Sequence, residues 1–340
     1  MIHLEHAATY DILMTFLSSF LVILFLILLV LICRNKRPPI ESEESPPINQ
    51  LSARQYSLME VDMATDGFNP TRVIGRGRLG IVYAGISPNG DLIAVKRIHP
   101  NLVLSNASIG FSTTLKWLSL SHHPNIVQIK GFSEAPGERI VLTEFVGMLN
   151  LEYYLHENHD GVSLLGWSRR LSVAAGVARG IEYLHESMAP SIVHGCIKPS
   201  NILIDAKFGA RVCDYGMWFM APARVELGYV DRECLVEKKR VSKECDVYGL
   251  GVVMLEILSG RRSEGGVLVE WALPLIKEMR FNELLDRRLG MPSEMKVFVR
   301  LAKVASACVG NSRKNRPSIA HVSAILNNLE QNQEQKQGFL

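Results

Sequence analysis

A glycine-spaced run between two strand-like segments constrains this chain more than any other feature. Ile74-Gly75-Arg76-Gly77-Arg78-Leu79-Gly80-Ile81-Val82 has the form GxGxxGxV. Glycines let a backbone come close to phosphate oxygens and turn its N–H groups toward them. A dinucleotide-binding fingerprint needs a helix to open inside the motif, whereas IVYAGI follows here and reads as a strand. A hairpin with a purely structural use stays open on this run alone. Sixteen residues past Gly80 comes Lys96, in Ile93-Ala94-Val95-Lys96. Strand alternation puts Ala94 and Lys96 on one face. A small residue beside a lysine, next to a glycine loop, suits an adenine ring and its phosphates.

The rest of the chain separates strands from helices. The segments at 71–98, 125–132 and 139–145 are rich in β-branched residues, and SPNG at 87–90 signals a hairpin turn. Residues 111–120 look helical. WSRRLSVAAGVARGIEYLHE from 167 carries apolar residues at 171, 174, 175, 178, 181 and 184, one face of a long helix. Segments at 247–259, 267–279 and 296–309 follow the same pattern, and there is no internal repeat. Strands first and helices after predict an α+β fold, a β-rich small lobe preceding a helical large lobe. A net charge of +3 gives no reason to expect nucleic-acid binding. Six scattered cysteines with no CxxC pair predict neither a disulfide framework nor a zinc site.

Residues 12–32 hold 18 apolar residues of 21, the exceptions being Thr15, Ser18 and Ser19. As a helix the run is about 32 Å long, the thickness of a bilayer core. A cleaved signal peptide is the rival, but the first 11 residues carry Glu5 and Asp11 and no Lys or Arg. Arg34, Lys36 and Arg37 follow the run, which places that side in the cytoplasm. The expected organisation is a short extracellular N-terminus (1–11), a transmembrane helix (12–32), a Pro-rich cytoplasmic juxtamembrane linker (33–67), a catalytic-type domain (68–330) and a tail (331–340). The expected location is the plasma membrane, single-pass. Cys33 at the boundary is either an S-acylation site or a bystander thiol.

From the glycine loop onward the chain resembles the eukaryotic protein kinases, specifically plant receptor-like and receptor-like cytoplasmic Ser/Thr kinases. Ile192-Val193-His194-Gly195-Cys196-Ile197-Lys198-Pro199-Ser200-Asn201-Ile202-Leu203 resembles the catalytic loop, and Asp214-Tyr215-Gly216 stands where the family has DFG. Gly228-Tyr229-Val230-Asp231-Arg232-Glu233 resembles the end of the activation segment, and Asp246-Val247-Tyr248-Gly249 the helix that supports the catalytic loop. The resemblance implies a two-lobed kinase fold, here preceded by a single transmembrane helix. It implies ATP and Mg2+ as ligands. Ile74, Gly75, Gly77, Gly80, Val82, Ala94, Lys96, Glu144 and Leu203 fall on the family's nucleotide positions, with Thr143, Glu144 and Phe145 at its gatekeeper and hinge. Asn201 and Asp214 fall on the two metal ligands, oxygen donors that suit a hard cation. A bland reading of those two as hydrogen-bonded structural groups stays open. Lys198 falls on the loop lysine, and His194, Tyr215 and Leu118 on a stack joining the lobes.

The departures are equally specific. Phosphoryl transfer needs a carboxylate to orient the attacking hydroxyl. The family's His-Arg-Asp is His194-Gly195-Cys196 here, so Cys196 replaces the base, and no Asp or Glu lies between Glu186 and Asp205. A thiol is mostly neutral at pH 7 and accepts weakly. The family's helix glutamate aligns with Thr114, and residues 97–133 contain no acid at all. The expected partner of Lys96 is therefore Asp214 or a phosphate. The stretch MWFMAPARVEL between Gly216 and Gly228 has no Ser, Thr or Tyr to phosphorylate, and its apolar MWFM run is expected to pack over the cleft. Arg232 replaces a proline, while Glu233 and Arg316 are expected to form the family's buried ion pair. The chain thus reads as a pseudokinase that binds ATP and serves as a scaffold or allosteric partner of active kinases or receptor complexes at the membrane. The alternative is a weakly active Ser/Thr kinase.

Overall fold

The computed structural model describes residues 53–337 apart from 105–109, 148, 159–164, 221–227, 232, 235–240 and 311, together with Leu24. The chain divides into two compact units, residues 1–50 and 51–340. In the second, strands β1 (Arg54–Gln55), β2 (Val73–Arg76), β3 (Gly80–Ile86), β4 (Leu92–Ile98), β5 (Ile129–Ala135) and β6 (Glu138–Glu144) form one sheet. Its order is β1-β5-β6-β4-β3-β2. The strands past residue 71 fall where alternation and β-branching place them, and β3 and β4 pair in full register from Gly80↔Ile98 to Ile86↔Leu92. Across the sheet lies helix α1 (Leu58–Thr65), whose Val61 and Ala64 bury against Tyr83, Ile93, Val95, Ile140 and Leu142.

Residues 53–67, expected to belong to the linker, therefore carry β1 and α1. The signal was present in the sequence. Ser57 and Glu60 form a reciprocal capping box, the Ser57 hydroxyl accepting from the Glu60 N–H and the Glu60 carboxylate accepting from the Ser57 N–H.

Between sheet and helices stand the short helices α2 (Pro100–Leu104) and α3 (Phe111–Leu118), α3 burying Phe111, Leu115 and Leu118. The large lobe is built on α4 (Trp167–Glu182) and α5 (Lys243–Ser259). Small residues Ala174, Ala175, Gly176, Ala178 and Gly180 on α4 let the hairpin β7 (Ile202–Ile204) and β8 (Ala210–Val212) seat against it. Around α5 pack α6 (Val267–Lys277), α7 (Phe281–Leu284) and α8 (Met295–Cys308), and α9 (Ile319–Gln337) lies along α4. Arg170, fully buried in α4, is neutralised by Asp286 at 2.7 Å and donates to the Ile257 carbonyl. That ion pair closes the lobe's core without leaving a charge unpaired.

The expected fold class needs one correction. The two-lobed architecture is found, but no helix among the described residues is long and apolar enough to cross a membrane. The transmembrane helix expected over 12–32 lies, apart from Leu24, outside the described residues. What the described residues form is the two-lobed domain.

Candidate functional site

The roof of the cleft between the lobes is β2, β3 and β4. Val82 sits opposite Lys96, and Ala94 lies between Ala84 and Thr143 on its two neighbours. Ile93 and Val95 point into the sheet's core, so Ala94 and Lys96 face the cleft as alternation requires. At the strand turn Gly77 N–H donates to the Gly80 carbonyl at 2.9 Å, and a His99 ring nitrogen lies 3.1 Å from the Gly77 carbonyl. The three loop glycines differ in what requires them. A β-carbon at Gly80 would fall on the Arg97 carbonyl, so sheet packing alone demands that glycine, whereas Gly77 opens to free space and Gly75 meets only Val82. Leu79, between them, is buried, and Ile74 is exposed.

Lys96 reaches across the cleft to an ion pair with Asp214. Both side chains are about four-fifths buried, at 17% and 20% exposure. Burial disfavours the charge on each. The partner outweighs it, so the Lys96 ammonium titrates above the usual lysine range and the Asp214 carboxyl below the usual carboxylate range. Lys198 adds to the hold on Asp214. Asp214 itself adopts a left-handed backbone at φ 62°, a conformation that a non-glycine residue keeps only where its surroundings over-determine it. No carboxylate of α3 takes part. The helix carries Thr114, half-buried, where the family has its glutamate, and the expectation that Lys96 would turn to Asp214 describes what is found.

The floor is the catalytic-type loop, fastened by one carboxylate. Buried Asp246, in the first turn of α5, accepts from His194 N–H at 2.7 Å and Gly195 N–H at 2.8 Å and lies 2.8 Å from the His185 ring. The helix N-terminus favours that charge. His194 is wholly buried; the Cys196 N–H points at its Nδ1 at 3.2 Å, and burial lowers its pKa. Cys196 is half-buried and unbridged, and its carbonyl accepts from the Asn201 amide at 2.9 Å. Leu203 lies half-buried in β7 between buried Ile202 and Ile204, on the opposite side of the strand from those two. Cys213, just before Asp214, is a poor nucleophile, because burial pushes its thiol up to about 12. Tyr215 and Leu118 are buried and meet, the Tyr215 hydroxyl donating to the Leu118 carbonyl at 3.4 Å.

Sequence reasoning did not reach four features here. A short 3-10 turn, Met217–Met220, follows Gly216, burying Met217 and Met220 and setting Trp218 against Gly195. The MWFM run, expected to pack over the cleft, instead buries Met217 and Met220 in the core and leaves Trp218 and Phe219 half-buried. Glu144 is occupied: its carboxylate pairs with Arg211 and accepts the Gln128 N–H. The expected Glu233–Arg316 pair is replaced. Arg316 pairs with Asp231 and donates to the Glu244 carbonyl at 3.1 Å, while Glu233 is exposed and accepts the Arg313 N–H. Finally, Cys234 and Cys245 are joined in a disulfide, against the expectation of no disulfide framework. Eleven residues apart in a stretch without CxxC spacing, they carry no sequence signal; only the fold brings them together.

Residues 68–326 match the family described as protein tyrosine and serine/threonine kinase. A PTI1-like tyrosine-protein kinase of Arabidopsis thaliana is 32% identical over 294 residues, covering 82% of this chain and 81% of that protein. Proline-rich receptor-like protein kinase PERK1 of the same plant is 35% identical over 295 residues, which is 81% of this chain and 44% of PERK1. The serine/threonine-protein kinase-like protein CCR2, also from that plant, is 33% identical over 276 residues, 80% of this chain and 34% of CCR2. The chain thus spans less than half the length of the latter two relatives. Among solved structures, the pseudokinase domain of BIR2, an immune regulator of the RLK/Pelle family, matches with a TM-score of 0.69 at 28% identity, covering 90% of this chain and 93% of that one.

Proposed function

The chain belongs to the protein tyrosine and serine/threonine kinase family, and within it we propose a nucleotide-binding pseudokinase that regulates active kinases instead of phosphorylating substrates. One observation carries this reading: Asp246 fastens the loop through the His194 and Gly195 N–H groups, yet a thiol, Cys196, stands where the attacking hydroxyl needs a carboxylate. A positioned acid–base group contributes roughly 10²–10⁴-fold. A neutral thiol supplies neither the charge nor the acceptor strength. Lys96 also lacks a small-lobe carboxylate to set it against phosphates, and its charge is spent on Asp214.

The remaining donors fit ATP and magnesium. Asn201 and Asp214 offer amide and carboxylate oxygens of the kind Mg2+ takes, and the Asn201 amide nitrogen is already engaged, which leaves its oxygen for a ligand. Mg2+ bound there would neutralise phosphate charge. Val82, Ala94 and Leu203 offer apolar surface above and below an adenine ring, and Lys96 an ammonium for phosphate oxygens. The regulatory role draws support from the relative described as the pseudokinase domain of an immune regulator.

The test uses the purified full chain. ATP with Mg2+ is expected to raise its thermal midpoint, and the rise is lost in Lys96→Met/Asp214→Ala. Radiolabel transfer to itself or to a generic substrate is expected to be absent. Transfer that disappears in Asp214→Ala would establish a weakly active kinase in its place.

A further inference from the structure

The end of the activation segment meets the first turn of α5 through two separate links. One is ionic: Arg316 pairs with Asp231 on the segment and donates to the Glu244 carbonyl on α5. The other is covalent: Cys234 on the segment is bonded to Cys245, the residue after Glu244. The next residue, Asp246, holds the His194 and Gly195 N–H groups. The sulfur bridge is therefore one residue from the carboxylate that sets the catalytic-type loop. Cys196, Cys213 and Cys308 are unbridged, so the pairing is selective among the described cysteines.

We propose that Cys234 and Cys245 are a reversible redox site, a thiol pair that a peroxide closes to a disulfide and thereby fastens the segment's end to α5. The attacking group is Cys245. It lies in the first turn of the 17-residue helix α5, where the helix dipole favours a thiolate. The neighbouring acids do not cancel that effect, because Asp231 is paired with Arg316 and Glu244 lies 3.4 Å from Arg313. Both cysteines are buried, and the residues just before them, Glu233 and Glu244, line a cavity of about 520 Å³.

The chemistry balances with one hydrogen peroxide. The Cys245 thiolate attacks one peroxide oxygen and the O–O bond breaks, giving a sulfenic acid and hydroxide. Hydroxide removes the Cys234 thiol proton and leaves as water. The Cys234 thiolate then attacks the sulfenic sulfur, the S–O bond breaks, and the departing hydroxide takes up the proton first lost from Cys245. Two thiols and one peroxide give one disulfide and two waters, two electrons passing from sulfur to oxygen. A dithiol reductant reverses the link by exchange.

Peptide mapping of the full chain tests this. Trypsin cuts after Arg232, Lys238, Lys243 and Arg261, releasing Glu233–Lys238 and Glu244–Arg261 as separate peptides that only this bridge joins. Protein reduced with dithiothreitol, desalted, exposed to hydrogen peroxide and capped with iodoacetamide is expected to give the joined pair. A reduced control gives two capped peptides. The oxidised chain is expected to melt about 5 °C higher than the reduced one, a difference absent in Cys234→Ser. Two results overturn the proposal: both cysteines remaining free to iodoacetamide after peroxide, or either bridging to a different cysteine. A third does so as well. If both thiols resist peroxide and capping until a chelator releases stoichiometric zinc, Asp231, Cys234 and Cys245 are a metal site. The mapping needs only the native sequence, so a Cys234→Ser chain that fails to fold leaves the test intact.

Discussion

The Trp218 indole lies against the α-carbon of Gly195, so closely that a β-carbon there would come within 2.8 Å of its ring. Gly195 also has φ 82°, where only glycine sits without strain. The arginine of the family's motif is thus excluded by the backbone and by the side chain that fills its place. Gly195→Arg is expected to cost about 2–4 kcal/mol, from left-handed strain and overpacking together. Adding Trp218→Ala should recover part of that loss. Urea unfolding of the two variants checks it, and equal midpoints would show that Trp218 does not stand in the way.

The consequence for repair is direct. Cys196 is half-buried and within electrostatic reach of Lys96, so Cys196→Asp should be tolerated to within about 1 kcal/mol. Restoring Cys196→Asp and Thr114→Glu while leaving Gly195 alone is therefore the variant expected to keep its fold and to gain any transfer. A radiolabel assay reads it, with Asp214→Ala as the silent control.

Much of this was legible in the sequence, and the failures share one cause. Alternation placed Ala94 and Lys96 on the cleft face, and the acid-free stretch 97–133 directed Lys96 toward Asp214. Both are local statements about one strand or one missing residue type. What sequence could not reach depends on which distant groups meet. Asp231 and Glu233 are both acids near the segment's end, and only the fold decides that Arg316 takes the first. Cys234 and Cys245 have no spacing signature. Trp218 finds Gly195 because a 3-10 turn follows Gly216. α1 differs in kind: its capping box is a local signal, but the proline-rich residues before it give the stretch the composition of a linker.

The choice of Asp231 over Glu233 makes a sharp contrast. Asp231 is buried, paired with Arg316, and accepts the Cys234 N–H. Asp231→Asn leaves the guanidinium buried without its counter-charge and is expected to cost about 3 kcal/mol. Glu233 is exposed, and Glu233→Gln is expected to fall within about 0.5 kcal/mol of the native chain. Chemical denaturation of both variants under reducing conditions measures the difference. If Glu233→Gln proves the costlier, the assignment of Arg316 to Asp231 is wrong.

Lys96 and Asp214 should couple strongly. Each is mostly buried, and either single substitution strands the other charge, so Lys96→Met and Asp214→Asn are each expected to cost about 1–3 kcal/mol. The double variant removes both charges and should lose less than the sum of the two. Strict additivity in denaturant unfolding would mean that the pair contributes nothing.

The buried His194 sets an acid limit on the loop. The Cys196 N–H points at Nδ1, which must then be unprotonated, and burial holds the ring's pKa below the usual 6.5 against the opposing pull of Asp246 and Asp214. Unfolded, the ring titrates near 6.5. Below that value the unfolded chain binds more protons than the folded one, so this contribution to stability is complete above about pH 6.5 and declines as pH falls through the lowered folded-state pKa. Unfolding free energy measured from pH 7.5 to 5 should therefore drop in the native chain, and the slope should flatten in His194→Phe, which keeps an aromatic ring and cannot take up a proton. An unchanged slope would assign the acid sensitivity to another group.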